Sequence, residues 1–116
     1  MKIIKYTEIE PVLINNESAK AVKGRVLIGK DDGADHFCMR VFTLGPDGFT
    51  PRHSHEWEHE IFVHAGSGKI FLDGEWQEVA AGTAIFVPGG EVHQLMNTTN
   101  EEFVFICLIP AGVPEL

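Results

Sequence analysis

Basic residues are scarce in this chain, which has nine Lys and Arg against 17 Asp and Glu in 116 residues and a formal net charge of −8. Contact with a nucleic-acid backbone requires clustered Lys and Arg side chains. The sequence has no such cluster, so we predict that the protein has no nucleic-acid partner. Solubility is the simpler explanation of the acidic balance.

Cysteines and long apolar runs are also few. The two cysteines, Cys38 and Cys107, lie inside separate apolar segments, which favours buried thiols over a disulfide framework and excludes a zinc ribbon built on paired cysteines. No stretch approaches the roughly 18 apolar residues of a membrane span, and the start of the chain has no signal-peptide pattern. We therefore expect a cytoplasmic protein without a membrane partner.

Helical periodicity is absent, and short β-rich runs recur between Gly, Pro, Asn and Asp. The length suits one domain, residues 1–116, with residues 1–20 as an arm that packs on the domain or on a second subunit. We predict an all-β fold of about ten strands that curls into a barrel or stacks as two sheets. Asp73-Gly74 predicts a hairpin, and Gly45–Gly48 predicts a turn.

The sequence is richest in histidine between Arg52 and Gly66, where His53, His55 and His59 fall within seven residues. Residues two apart in a β-strand point to the same face, about 7 Å apart. His53 and His55 can therefore reach one metal ion from a single strand. The alternative is that these histidines simply solvate a loop.

The third ligand has to be chosen between two adjacent residues, His59 and Glu60, which must face opposite ways in a strand. His59 shares its face with Ile61 and Val63, which favour a dry interior, whereas Glu60 shares its face with the polar His64. We predict that His59 is the ligand. Glu60 then lies outside, or it orients a ligand through a hydrogen bond from behind.

The second half of the chain supplies a fourth histidine, His93, and a specific motif. The chain resembles the cupins, small jelly-roll barrels whose second motif is a set of five spaced residues. This sequence matches all five with Gly82, Pro88, Gly90, His93 and Asn97. The first cupin motif matches less well, because Gly48 precedes His53 by one residue too few and Gly66 follows Glu60 one residue early.

Within that family, the sequence from His53 to Val63 is similar to that of the small four-histidine manganese cupins. The resemblance implies a double-stranded β-helix and four metal ligands, His53, His55, His59 and His93. It also implies a homodimer in which N-terminal strands contact the partner. The activity it implies is oxygen-dependent oxidative cleavage of carbon–carbon double bonds.

Four neutral imidazoles leave the charge of a divalent ion uncompensated and, in an octahedral site, leave two positions open to water, oxygen or substrate. Such a site favours a small, anionic ligand. Ligand chemistry alone ranks iron, nickel, copper and zinc above manganese, whereas the resemblance indicates manganese.

Residues outside the motifs have two interpretations each. Arg40 lies in an apolar strand, where it could meet an anionic substrate or face outward as a surface residue. The resemblance suggests that Phe105 gates the pocket and that Cys107 is a nearby oxidisable thiol, but both residues also suit a plain core. Trp57 is either a lid or packing for its turn. His36 and His64 are expected on the surface.

Three functions remain open at this point. The first is a metal-dependent, dioxygenase-like oxidoreductase acting on a small organic molecule. The second is a non-redox isomerase or decarboxylase in which the metal acts as a Lewis acid. The third is a non-catalytic binding module, because fold and metal do not define the chemistry.

Overall fold

The computed structural model describes residues 1–116 and confirms the all-β class. The nine strands are β1 (Val12–Ile14), β2 (Lys20–Ile28), β3 (Phe37–Phe49), β4 (His59–Ala65), β5 (Ser67–Leu72), β6 (Glu75–Ala80), β7 (Ala84–Val87), β8 (Gln94–Met96) and β9 (Phe103–Pro110). Two 3-10 turns, Tyr6–Glu8 and Lys30–Asp32, are the only helical elements. Neither is long or apolar enough to cross a bilayer.

All the strands belong to one sheet with the order β6-β5-β8-β3-β9-β4-β7, and β2 pairs with β3 and carries β1 on its other edge. Every pairing is antiparallel. The long strand β3 joins the two halves, because it pairs with β9 over Phe37–Leu44 and with β8 at Phe49. The sheet curls into a jelly-roll barrel with principal extents of 38 × 30 × 29 Å.

The core lies between the inward faces of the curled sheet. Leu44, Val63, Val87 and Phe103 are completely buried, and each such side chain contributes about 1.5–3 kcal/mol relative to exposure. Burial in β4 alternates residue by residue along the whole strand. This period of two is the pattern that defined the strand in the sequence.

The hairpin predicted at Asp73-Gly74 is confirmed. Leu72 pairs with Glu75 across it, and the two turn residues have φ angles of 54° and 77°. Positive φ at both central residues is what a type I′ turn requires, and its twist matches that of the flanking strands.

The turn predicted at Gly45–Gly48 is wrong. The segment is a bulge inside β3, because β2 continues opposite it and the pairing moves from Val22 with Leu44 to Lys20 with Phe49. A Cβ on Gly48 would approach the carbonyl oxygens of Gly45 and Lys20 to 2.8 and 2.9 Å, so the bulge requires glycine there. The opposite strand therefore overrides a local turn sequence.

The N-terminal arm packs along β2. The Arg25 guanidinium donates from Nε to the carbonyl of Ile9 at 2.8 Å, and the Lys2 ammonium forms an ion pair with Asp32 at 2.9 Å. The arm contains strand β1, and it ends at the buried Ala19, directly before β2. The apolar side chains of Ile3 and Leu13 stay exposed on this arm.

Candidate metal centre

His53 and His93 face each other through their backbones. The amide of His53 donates to the carbonyl of His93 at 3.2 Å, and the amide of His93 donates back at 3.0 Å. This is an isolated bridge, and His55 lies outside regular strands. The prediction that His53 and His55 lie on one strand is therefore wrong. The backbone bridge to His93 positions the segment that carries them.

The imidazole rings nevertheless converge. The ring centroids of His53 and His55 are 5.2 Å apart. The ring centroid of His93 lies 4.8 Å from that of His53 and 5.1 Å from that of His55. One ring nitrogen from each of these three residues lies within 4.8 Å of the others. His53, His55 and His93 thus form a cluster that can hold a metal ion.

His59 adjoins this cluster from β4. It is buried, while the neighbouring Glu60 is exposed on the outer face, which confirms the facing argument made from the sequence. The His59 Nε2 atom lies 2.6 Å from the Nε2 of His55, and its ring is 5.0 Å from that of His93. Two ring nitrogens at this distance repel unless they share a proton or a cation.

The outer nitrogens of two rings are already committed. The Nδ1 of His55 lies 2.9 Å from the carbonyl oxygen of Trp57, and the Nδ1 of His93 lies 2.9 Å from that of Glu91. A carbonyl only accepts, so each Nδ1 carries the proton and each Nε2 keeps a lone pair. This is the tautomer and the outer hydrogen bond that metal-binding histidines normally show.

Trp57 also supports the His55 ring directly. The indole stacks on the imidazole with centroids 4.3 Å apart and planes 2° from parallel. Its side chain is partly buried against the hydrophobic core. The structure therefore places Trp57 as packing for a candidate ligand, which the sequence left open.

Partial desolvation lowers the pKa of three of the four imidazoles and so favours their neutral form. Desolvation, followed by the charge of His93, lowers the pKa of His53 to about 4. Desolvation, followed by the Arg40 charge, lowers the pKa of His59 to about 3. Desolvation also lowers the pKa of His93, partly opposed by its hydrogen bond to Glu91. Neutral imidazole is the form that binds metals, so the donor set fits a divalent ion.

Arg40 is buried beside the cluster, so the surface interpretation of this residue was wrong. Its Nη2 lies 2.9 Å from the sulfur of Cys107 and 3.3 Å from the Nδ1 of His59, and that Nδ1 is itself 2.9 Å from the sulfur. Because arginine only donates, the Cys107 sulfur accepts from both neighbours when His59 Nε2 keeps its lone pair. The Cys107 sulfur thus holds the His59 ring and links it to Arg40.

A cavity of about 320 Å³ opens onto these groups. The four histidines, Arg40, Phe105 and Cys107 line it, and so do Pro114 and Leu116 from the end of the chain. Phe105 is fully buried, and its ring stacks on that of Phe42 at 5.7 Å and packs at a tilt against that of Phe103 at 5.3 Å, so it is both core and cavity wall. No signal in the sequence indicated that residues 114 and 116 reach the cavity.

The remaining candidates lie elsewhere. Glu60 is on the opposite face of β4 from His59 and makes no hydrogen bond to any of the four histidines. His36 and His64 are exposed, as predicted. The structure gives Glu60 the outer position that the facing argument favoured.

Fold and site together define a small β-barrel with a histidine-lined cavity that can hold a metal ion. A family model described as a cupin domain matches residues 40–109. The chain belongs to the cupin family.

The known proteins to which this chain is similar are of several kinds. The oxalate-binding protein of Thermotoga maritima is 31% identical over 115 residues, covering 92% of both chains. The structure of the polyketide cyclase RemF from Streptomyces resistomycificus is 38% identical with a TM-score of 0.90, over 98% of this chain and 82% of that one. A predicted oxalate decarboxylase from Thermotoga maritima is 27% identical with a TM-score of 0.84, over 95% and 99% of the two chains.

Proposed function

We propose that this protein is a metal-dependent oxidoreductase of the dioxygenase type that acts on a small organic molecule. His53, His55, His59 and His93 are the proposed ligands. The observation that carries the proposal is the convergence of the imidazoles: one ring nitrogen from each of His53, His55 and His93 lies within 4.8 Å of the others, and the Nε2 of His59 lies 2.6 Å from that of His55. A bound transition metal supplies redox chemistry that no side chain of the cavity can supply.

The chain's own residues position and enclose the substrate in this proposal. The carbonyls of Trp57 and Glu91 fix two imidazoles, and the Cys107 sulfur fixes a third. Apolar side chains such as Phe105 and Leu95 exclude water from the cavity. A volume of about 320 Å³ lies at the small end of ligand pockets, which suits a small molecule.

The identity of the metal is proposed as manganese, on the resemblance to four-histidine manganese cupins. Imidazole donors would also take iron, nickel, copper or zinc. Elemental analysis of the protein from its native host tests this point. We expect about one equivalent of metal, its loss in His93→Ala, and its retention in the matched control His36→Ala, because His36 is exposed and outside the cluster. Equal metal content in both variants contradicts the site.

Oxygen uptake over a panel of phenolic, enol and alkene compounds tests the reaction itself. The proposed function requires uptake that depends on both metal and substrate. Full turnover without oxygen, with redox-silent zinc bound, would instead assign a non-redox reaction such as isomerisation or decarboxylation. The names of the relatives, a polyketide cyclase and a predicted oxalate decarboxylase, favour that as the second candidate.

Tight binding without turnover would leave a binding module, the third candidate. The relative named as an oxalate-binding protein supports a small, anionic ligand for either a binding or a catalytic role. Calorimetry with oxalate under argon and under air separates the two, because only a catalyst consumes the ligand.

A homodimer formed through the N-terminal arm is also proposed. Ile3 is 94% exposed and Leu13 is 70% exposed, and strand β1 has one unpaired edge. Exposed apolar side chains beside a free strand edge favour pairing with a second copy. Light scattering should give twice the chain mass, and Leu13→Lys should shift the protein to monomer. A monomeric parent protein refutes this arrangement.

A further inference from the structure

The guanidinium of Arg40 is buried without an anion. Arg40 is only 7% exposed, and the one ion pair of the structure, Lys2 with Asp32, lies elsewhere. Its hydrogen-bond partners are a backbone carbonyl, that of Glu115 at 3.2 Å, and the Cys107 sulfur. Its Nε has no partner at all. No carboxylate lies within ion-pair distance of the Arg40 guanidinium.

Such an arrangement is costly for a fold. A buried charge without a counter-ion is unfavourable even after relaxation, and a buried N–H without an acceptor adds a further desolvation cost. An apolar side chain of the same volume would avoid both costs. A ligand that brings an anionic group to Arg40 would explain why a buried arginine is present here.

The position of Arg40 makes this possible. Arg40 lines the same cavity as the histidines, and its Nη2 lies 3.3 Å from the outer nitrogen of His59. A ligand group on Arg40 is therefore one imidazole away from the candidate metal centre. The Arg40 guanidinium carbon lies 4.9 Å from the centre of the Phe42 ring, which supports the side chain from one side.

We infer that Arg40 is the anion-binding residue of this cavity and selects small substrates that join a carboxylate, or an equivalent planar oxyanion, to an apolar body. The planar fork of N–H donors in arginine matches a carboxylate in two hydrogen bonds. The apolar body lies against Phe105 and Leu95. This inference rests on the proposed function only in that the same cavity takes the substrate.

A purely structural role for Arg40 is the competing explanation. In that case it ties the end of the chain to β3 through the Glu115 carbonyl and merely holds Cys107. A structural Arg40 affects every ligand equally, whereas an anion receptor distinguishes a carboxylate from its neutral amide.

The test is calorimetric binding of matched pairs, from acetate and acetamide to cinnamate and cinnamamide, to zinc-loaded and to metal-free protein. The metal-free form cannot carry out a metal-dependent reaction, so its binding is measured without activity. We expect the carboxylates to bind about tenfold or more tightly than the amides. Arg40→Met should abolish this preference without weakening amide binding, and Arg40→Lys should keep part of it. Arg52→Met is the matched control, because Arg52 is exposed and does not line the cavity.

Failure of the two ideas looks different. If the metal proposal fails, the metal-free protein still prefers carboxylates through Arg40. If the Arg40 inference fails, the wild-type protein binds each carboxylate and its amide equally, a result that needs no variant to fold. Thermal melting adds a second measurement: unliganded Arg40→Met should melt no lower than wild type, and carboxylates should raise the melting temperature of the wild type alone. A large fall in the melting temperature of Arg40→Met, together with a carboxylate preference that this variant retains, assigns the structural role instead.

Discussion

Replacing Asn97 with alanine should destabilise this barrel strongly while leaving the donor atoms of the metal site in place. Asn97 is only 1% exposed and follows the short strand β8. Its Nδ2 faces the carbonyl oxygens of Leu44 at 2.9 Å, Gly45 at 3.0 Å and Glu101 at 2.7 Å. Its Oδ1 accepts from the amide of Thr99 at 2.9 Å and from its hydroxyl at 3.0 Å. One side chain thus joins β3, β8 and the turn before β9.

The magnitude follows from these partners. Each hydrogen bond contributes about 0.5–1.5 kcal/mol net, and a buried group left without a partner costs about 1–3 kcal/mol. Only the bond to Leu44 is fully buried, so water can reach the other groups after truncation. We expect a loss of about 3–4 kcal/mol in the free energy of unfolding. For a domain of this size that loss lowers the melting temperature by roughly 10–20 °C.

The assay is urea unfolding of metal-free protein, with Asn97→Ala, Asn97→Asp and the exposed control Asn100→Ala. The aspartate keeps the acceptor and removes both N–H donors, so it should be at least as unstable as the alanine variant. Metal affinity measured well below the unfolding transition should change by no more than a few-fold, because Asn97 is not a proposed ligand. The reasoning is refuted if Asn97→Ala unfolds within about 1 kcal/mol of Asn100→Ala.

Three further predictions concern the site and its frame. In metal-free protein the pKa values of about 4 for His53 and about 3 for His59 lie below the value of about 6.5 for an unfolded histidine. The unfolded chain therefore binds more protons below pH 6.5, so the melting temperature should fall as the pH is lowered from about 6.5 to about 3. The fall should be less steep in His59→Gln, and equal slopes in the two proteins would contradict this. Gly66→Ala should lower the free energy of unfolding by at least about 2 kcal/mol more than Gly74→Ala. The two glycines have a similar positive φ, but only at Gly66 would an added Cβ clash with a backbone carbonyl, that of Glu102. Trp57→Leu should weaken metal binding about tenfold by removing the ring stacked on a candidate ligand, and unchanged affinity by calorimetry would argue against that support.

The sequence by itself determined the local structure. Alternation along β4 assigned His59 to the interior, and Asp73-Gly74 assigned a hairpin, because each pattern depends on backbone angles and side-chain directions of neighbouring residues. The spacing from Gly82 to Asn97 also indicated the family before any contact was known.

Tertiary structure alone decided the rest. The sequence of Gly45–Gly48 suits a turn, yet the continuing pairing with β2 makes it a bulge. From the sequence, Arg40 suited the protein surface as well as the pocket. Its burial follows from the strand register, because it pairs with Cys107 across β3 and β9 and its side chain reaches Glu115, 75 residues away. Such contacts join distant parts of the chain, and no local pattern encodes which strands meet or in which register. The pairing of β3 with β9 therefore places the positive charge of Arg40 in this cavity.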